Sequence, residues 1–128
     1  MSRITATLAA LVFTGAAFSA IAQTAPAGRL KGADAMAAVS GNTLSGKIDD
    51  EENTIFLSPD GKLSIEIDAE RSRGKWAARD GKLCMTIEGE DEECFGLEVE
   101  GGAATLSEDS THSWNLKIMS GNAKSLPI

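Results

Sequence analysis

Tyrosine is absent from this chain, histidine occurs once, cysteine twice and proline three times. Each scarcity removes a class of chemistry. General acid–base work at neutral pH usually draws on a histidine held in a cleft, and His112 is the only one present. Two thiols without a second cysteine pair do not meet the ligand spacing of a structural zinc site. There is no Gly-x-Ser-x-Gly elbow, no glycine-rich phosphate loop and no D-x-[DN]-x-[DN]-G calcium loop. The reading is therefore of a non-enzyme with no cofactor and no metal. Internal repeats and low-complexity tracts are also missing. Basic side chains are outnumbered, 12 against 19 acidic ones, for a formal net charge of −7. Such a surface repels phosphate backbones and anionic headgroups, so nucleic acid is not an expected partner. A cationic protein, a small molecule carrying positive charge or a divalent ion is easier to accept.

What is there begins with MSRITATLAALVFTGAAFSAIAQ, which reads as a secretory signal peptide. Arg3 supplies the positive start, Leu8 to Phe13 the most apolar stretch, and Ala20-Ile21-Ala22 the small-residue cleavage site. Thr, Ser and Gly dilute the segment too much for a membrane anchor. No cysteine precedes Cys84 to carry a lipid. Cleavage after Ala22 assigns residues 1–22 to the leader and the product to the periplasm or the exterior, with no membrane span left. About 106 residues remain, with a net charge of about −8 once Arg3 is gone. Residues 23–32, QTAPAGRLKG, read as a flexible N-terminal segment, and residues 33–128 as one domain of a size that folds alone.

Within that domain the hydrophobic period changes once. ADAMAAVSGN, residues 33–42, suits a short helix capped by Asp34, with Met36 and Val39 buried and Gly41 or Asn42 as its stop. From Thr43 onward apolar and polar residues alternate, as in half-buried antiparallel strands. The pattern predicts strands near 43–48, 53–58, 62–69, 73–79, 82–88, 94–100, 103–107 and 112–119, joined by turns at Pro59-Asp60-Gly61, Asp80-Gly81 and Gly101-Gly102. The fold class is mainly β: a small antiparallel up-and-down meander barrel or half-barrel of about seven or eight strands with one short N-terminal helix, the helix plugging one end. A two-sheet β-sandwich is the alternative. The inward set is Leu63, Ile65, Ile67, Trp76, Leu83, Met85, Ile87, Phe95, Leu97, Val99, Leu106, Trp114, Leu116 and Ile118. Residues of that size fill a barrel and leave at most a shallow apolar mouth.

Both cysteines lie in GKLCMTIEGEDEECFGLEVEGG. In a hairpin of 82–88 with 94–100, the register that sets Leu83 opposite Phe95 also sets Cys84 opposite Cys94, Thr86 opposite Glu92 and Glu88 opposite Glu90. Facing residues at a non-hydrogen-bonded pair lie within disulfide reach, and an exported protein meets an oxidising compartment. Cys84 and Cys94 are accordingly expected to form a disulfide. Glu88, Glu90, Asp91, Glu92 and Glu93 between them are the candidate contact for a cation or partner, weighed against a charged hairpin tip that keeps strands soluble. Asp109, Ser110, His112 and Ser113 are the ingredients of nucleophilic catalysis. On one strand, however, His112 and Ser113 point to opposite faces, and an ordinary turn is the simpler reading. Arg71, Arg73, Lys75 and Arg79 are expected to pair with Glu66, Asp68 and Glu70 across adjacent strands.

The order Ser40-Gly41-Asn42-Thr43, Phe56-Leu57-Ser58-Pro59-Asp60-Gly61, Gly74-Lys75-Trp76, Asp80-Gly81-Lys82-Leu83-Cys84, a second cysteine and Ser120-Gly121-Asn122 resembles small exported proteins of Gram-negative bacteria. The resemblance implies a lipocalin-like antiparallel barrel and export, and it brings no catalytic residues. The function expected is a non-enzymatic binding or interaction module with an acidic surface. The alternative is a protease-inhibitor-like protein that uses residues 23–32, by analogy of shape.

Overall fold

Turn chemistry and alternation together set the path of the chain. In this computed structural model, which describes residues 29–128, a short β1 (Leu30–Lys31) leads into α1 (Gly32–Val39). Eight strands follow: β2 (Thr43–Ile48), β3 (Glu51–Leu57), β4 (Lys62–Ile67), β5 (Glu70–Arg79), β6 (Lys82–Ile87), β7 (Glu93–Glu100), β8 (Ala103–Ser107) and β9 (Ser113–Met119). Each pairs antiparallel with the next, and β9 returns to β2 through Lys117↔Ser45, Ile118↔Leu44 and Met119↔Thr43. The result is a closed eight-stranded up-and-down barrel, not a sandwich. Closure leaves no long unpaired strand edge. Among the described residues no helix is long and apolar enough to cross a membrane. The expected leader, residues 1–22, lies outside the described residues, as does most of the segment 23–32; the end of that segment, Leu30–Lys31, is not free but paired with Val99 and Glu98 of β7.

Three of the hairpins turn on two residues with positive φ: Asp49-Asp50, Asp68-Ala69 and Asp80-Gly81. Such primed turns match the twist of the flanking strands. Ser58 to Gly61 closes differently, the Gly61 amide donating to the Ser58 carbonyl at 3.0 Å, with Pro59 and Asp60 at the centre. The expected helix is present, but Asp34 lies in its first turn and does not cap it. Lys31 holds the cap position with no side-chain bond, and Asn42 closes the other end by donating to the Ala38 carbonyl at 2.9 Å.

All fourteen residues of the expected inward set belong to the core cluster or pack against it. Ala35, Met36 and Val39 of α1, with Leu44, Ile55, Leu57 and Ala104, complete it. Burial is graded along the barrel. Leu44, Leu57, Leu63, Leu83 and Ala104 are inaccessible toward the end where α1 packs, whereas Ile48, Ile67, Ile87 and Trp114 near the other end are only half-buried. The helix therefore plugs one end and leaves the other open.

Beyond β9 the chain is clamped to the start of the barrel. Thr43 Oγ1 donates to the Gly121 carbonyl (2.6 Å) and accepts from the Ala123 amide (3.0 Å), and Asn42 Oδ1 accepts from the Gly121 amide (3.0 Å). Asn122 then makes a two-way clasp with Leu126. Leu126 is buried, and Ile128 borders Lys62, Arg73 and Lys75 on β4 and β5. On the outer wall between these points Phe56 and Ser64 are buried too, as expected beneath a crossing segment, and Ser64 Oγ has no hydrogen-bond partner.

Candidate functional site

Antiparallel connectivity sorts the turns into two sets. Those at 49–50, 68–69, 88–92 and 108–112 gather at the open end, and those at 58–61, 80–81 and 101–102 gather beside α1. The charges sort with them. Asp49, Asp50, Glu51, Glu52, Asp68, Glu70, Glu88, Glu90, Asp91, Glu93, Glu108 and Asp109 belong to the open end, so most of the chain's 19 acids stand there; Glu92 turns back along the wall toward Arg79. The helix end carries a mixture, including Arg29, Lys31, Lys62, Arg79 and Lys82. Alternation also places Glu51, Glu70 and Glu93 on the lumenal side of their strand ends, since Glu51 shares the face of Asn53 and Ile55, Glu70 faces Ile67 and Glu93 faces Met85. The open end is thus a ring of half-buried apolar side chains inside a rim of exposed carboxylates. A cation with an apolar part fits that combination; a phosphate does not.

The expected acidic contact, Glu88 to Glu93, does not act as one unit. Glu92 makes a two-pronged ion pair with Arg79, Nη1 donating to Oε1 at 2.8 Å and Nη2 to Oε2. Glu88 and Glu90 border a groove on the outer wall. Asp91 and Glu93 are exposed. The cysteines are joined as the register requires: Cys84 faces Cys94, their Cα atoms are 3.9 Å apart and the S–S distance is 2.02 Å. Cys84 is buried and Cys94 exposed. The β6–β7 ladder ends at Met85↔Glu93, so the expected facing pairs Thr86–Glu92 and Glu88–Glu90 are absent from it. The 88–92 connection is wider than a two-residue turn, the Glu90 amide donating to the Ile87 carbonyl at 2.8 Å.

Asp109 and His112 come together, but as a turn. Asp109 Oδ1 accepts from the Thr111 amide (2.8 Å), the Thr111 hydroxyl (2.8 Å) and the His112 amide (2.9 Å), and lies 3.1 Å from His112 Nδ1. All three side chains are exposed, and neither Ser110 nor Ser113 is bonded to the histidine among the described contacts. These bonds, the Thr111 amide first, then its hydroxyl and the His112 ring, hold the Asp109 carboxyl well below the usual carboxylate range. The hydroxyl of Ser58 and the Lys62 amide lower Asp60 in the same way. A carboxyl depressed in the folded state contributes stability that is complete above its unfolded value and is lost as pH falls through the folded one. In carboxyl-carbon NMR titration Asp109 is expected to show a midpoint below 3.8, its ordinary value. The difference in Tm between wild type and Asp109→Asn is expected to stay constant down to about pH 4 and shrink below it. A constant difference down to pH 2 would contradict this account of the turn.

The basic stretch divides as well. Arg71 pairs with Glu66 at 3.0 Å, as expected, and Arg79 with Glu92 rather than with a residue of β4. Arg73 and Lys75 make no ion pair among the described residues. Asp68 accepts from the Glu52 amide instead of pairing with an arginine. Trp76 sits on the inner face, donating from Nε1 to the Ser58 carbonyl at 2.7 Å, and Phe95 and Trp114 meet edge to face with ring centroids 6.3 Å apart. Charge sorting between the two ends escapes sequence reading, because it needs the topology; the acidic turns alternating with mixed ones were its only trace. Comparison with family models, curated proteins and solved structures finds no match for this chain.

Proposed function

We propose that the protein is a non-enzymatic binding module of an exported kind, whose open barrel end receives a cationic partner. The observation that carries this reading is the segregation of acids to the end that α1 leaves uncovered, around half-buried Ile48, Ile67, Ile87 and Trp114. Carboxylates at a low-dielectric mouth focus the field and raise the local concentration of cations. Apolar residues beneath them give the partner something to bury. The disulfide supports the extracytoplasmic setting. The protease-inhibitor reading of residues 23–32 has less support, because Leu30 to Gly32 are committed to β1 and the start of α1.

The test uses a cationic amphipathic peptide of alternating Lys and Leu, titrated calorimetrically at low and at physiological salt. Affinity is expected to fall with ionic strength. Replacing Glu51, Glu70 and Glu93 together by Gln is expected to weaken it roughly tenfold, at about 0.2–1 kcal/mol per exposed charge. Neutralising Asp34, Asp60 and Asp80 at the helix end is expected to leave it unchanged. Equal effects from the two triple variants would show attraction to net charge alone and overturn the assignment to the mouth.

A further inference from the structure

A groove of about 410 Å³ lies on the wall at β4, β5 and β6 and runs to the 88–90 turn at the rim of the mouth. That volume lies in the range of small-molecule sites. β5 is staggered between its neighbours: Glu70 to Lys75 pair with β4 on one edge and Gly74 to Arg79 with β6 on the other, so Gly74 and Lys75 are paired on both sides. There Gly74 lies so close to β6 that a methyl group in place of its hydrogen would stand 2.0 Å from the Thr86 carbonyl oxygen. Ile87 and Ile128 supply apolar lining.

The polar lining breaks a pairing rule. Lys62 and Lys75 are directly opposite each other on neighbouring strands, a like-charge arrangement that destabilises a sheet. Arg73 adds a third cation to the same groove. Lys62 has one loose partner, Asp60 at 3.9 Å, and Arg73 and Lys75 have none among the described residues. In a chain with a surplus of carboxylates, three cations around an apolar floor are a local exception. A local rule broken with so little compensation among the described residues marks a place where something outside the fold compensates. An anionic head set between Lys62 and Lys75 would remove the repulsion, and an attached hydrocarbon would cover Gly74, Ile87 and Ile128. Glu88 and Glu90 at the groove's other border would repel a second negative charge.

We propose that this groove binds a small amphiphilic monocarboxylate through Lys62, Lys75 and Arg73. The site borders the acidic mouth, sharing Ile87, Glu88 and Glu90 with it, but its cations stand on β4 and β5 and it does not depend on the function proposed for the mouth. The probe is octanoate, added to the full chain with its disulfide intact and followed by amide NMR and thermal unfolding. Saturable shifts are expected at Lys62, Arg73 to Lys75 and Thr86 to Glu88, with a rise in Tm. Suberate, with a carboxylate at each end, and neutral 1-octanol are expected to bind at least tenfold more weakly. Lys62→Gln with Lys75→Gln is expected to raise the ligand-free Tm, by removing the repulsion, and to abolish the octanoate-dependent rise. That pair of readings separates loss of binding from loss of folding. The proposal is overturned if octanoate gives no saturable shifts at these residues, if 1-octanol binds as tightly, or if the double variant keeps the wild-type response.

Discussion

Gly74→Ala is expected to destabilise the barrel by about 3 kcal/mol or more, the largest effect of adding one methyl at any described glycine. The added carbon would sit 2.0 Å from the Thr86 oxygen and 2.9 Å from Ile87 Cα. Both obstacles are backbone, which cannot rotate away as a side chain can. At Gly46 the obstacle nearest the added carbon is the Leu116 side chain, at 2.7 Å, and Gly102 has nothing within 4 Å. To accommodate alanine, β5 and β6 must separate at Gly74↔Ile87, which loosens hydrogen bonds and exposes Ile87. In a domain of this size the loss corresponds to a fall in Tm of roughly 10–20 °C. Thermal unfolding of Gly74→Ala beside Gly102→Ala is the direct measurement. A Gly74 variant melting within 2 °C of wild type would mean that the two strands are not in the close contact described.

Breaking the Cys84–Cys94 link is expected to have the next largest effect. A short loop closed by a disulfide contributes somewhat under ~3 kcal/mol through the entropy of the unfolded chain. Its position raises its importance. The β6–β7 ladder has only four register pairs, Lys82 to Met85 against Gly96 to Glu93, and past the β5–β6 turn β7 pairs with β1 instead. Reduction, or Cys84→Ala with Cys94→Ala, is therefore expected to lower Tm by roughly 10–15 °C. Amide exchange should accelerate first at those eight residues and at Leu30–Lys31. The Arg79–Glu92 pair, which joins the end of β5 to the connection of that hairpin, is largely exposed and worth little by comparison. Complete reduction, verified by titrating two free thiols, with no change in Tm would refute this account of the seam.

These two residues also illustrate what can be read from the chain before its fold is known. Cys84 and Cys94 could be placed opposite each other because the alternation of Leu83-Cys84-Met85 and Cys94-Phe95-Gly96 admits one register that keeps the apolar side chains on one face. The strands from β6 to β9 were legible for the same reason, to within a residue or two. Failures occur where the local signal is weak. Asp68-Ala69 is a primed turn, but alanine is a poor marker of positive φ, so the alternation alone predicts a strand running on to residue 69 and the next one starting only at 73. Ile55-Phe56-Leu57 is apolar on both faces, which hides the alternation. Phe56 points outward and is nonetheless buried, alongside Ser64. The segment after Met119 carries no periodicity, and Thr43 and Asn42 hold it by contacts close to eighty residues apart in sequence. The closeness at Gly74 and the facing lysines of the groove depend on the registers of β5 with both of its neighbours, which no pattern in β5 announces.

The return of β9 to β2 constrains how the chain reaches its native state. Its three register pairs and the Asn42–Thr43 clamp join the two ends of the meander, so they cannot form until residues near 120 are available. During synthesis or transit, β2 on one side and the newest strand on the other are adhesive borders with unmatched amides. A growing meander of this kind invites pairing between neighbouring molecules until its last ribbon docks. Completion of the circle is thus the step at which a sticky intermediate becomes a self-contained particle.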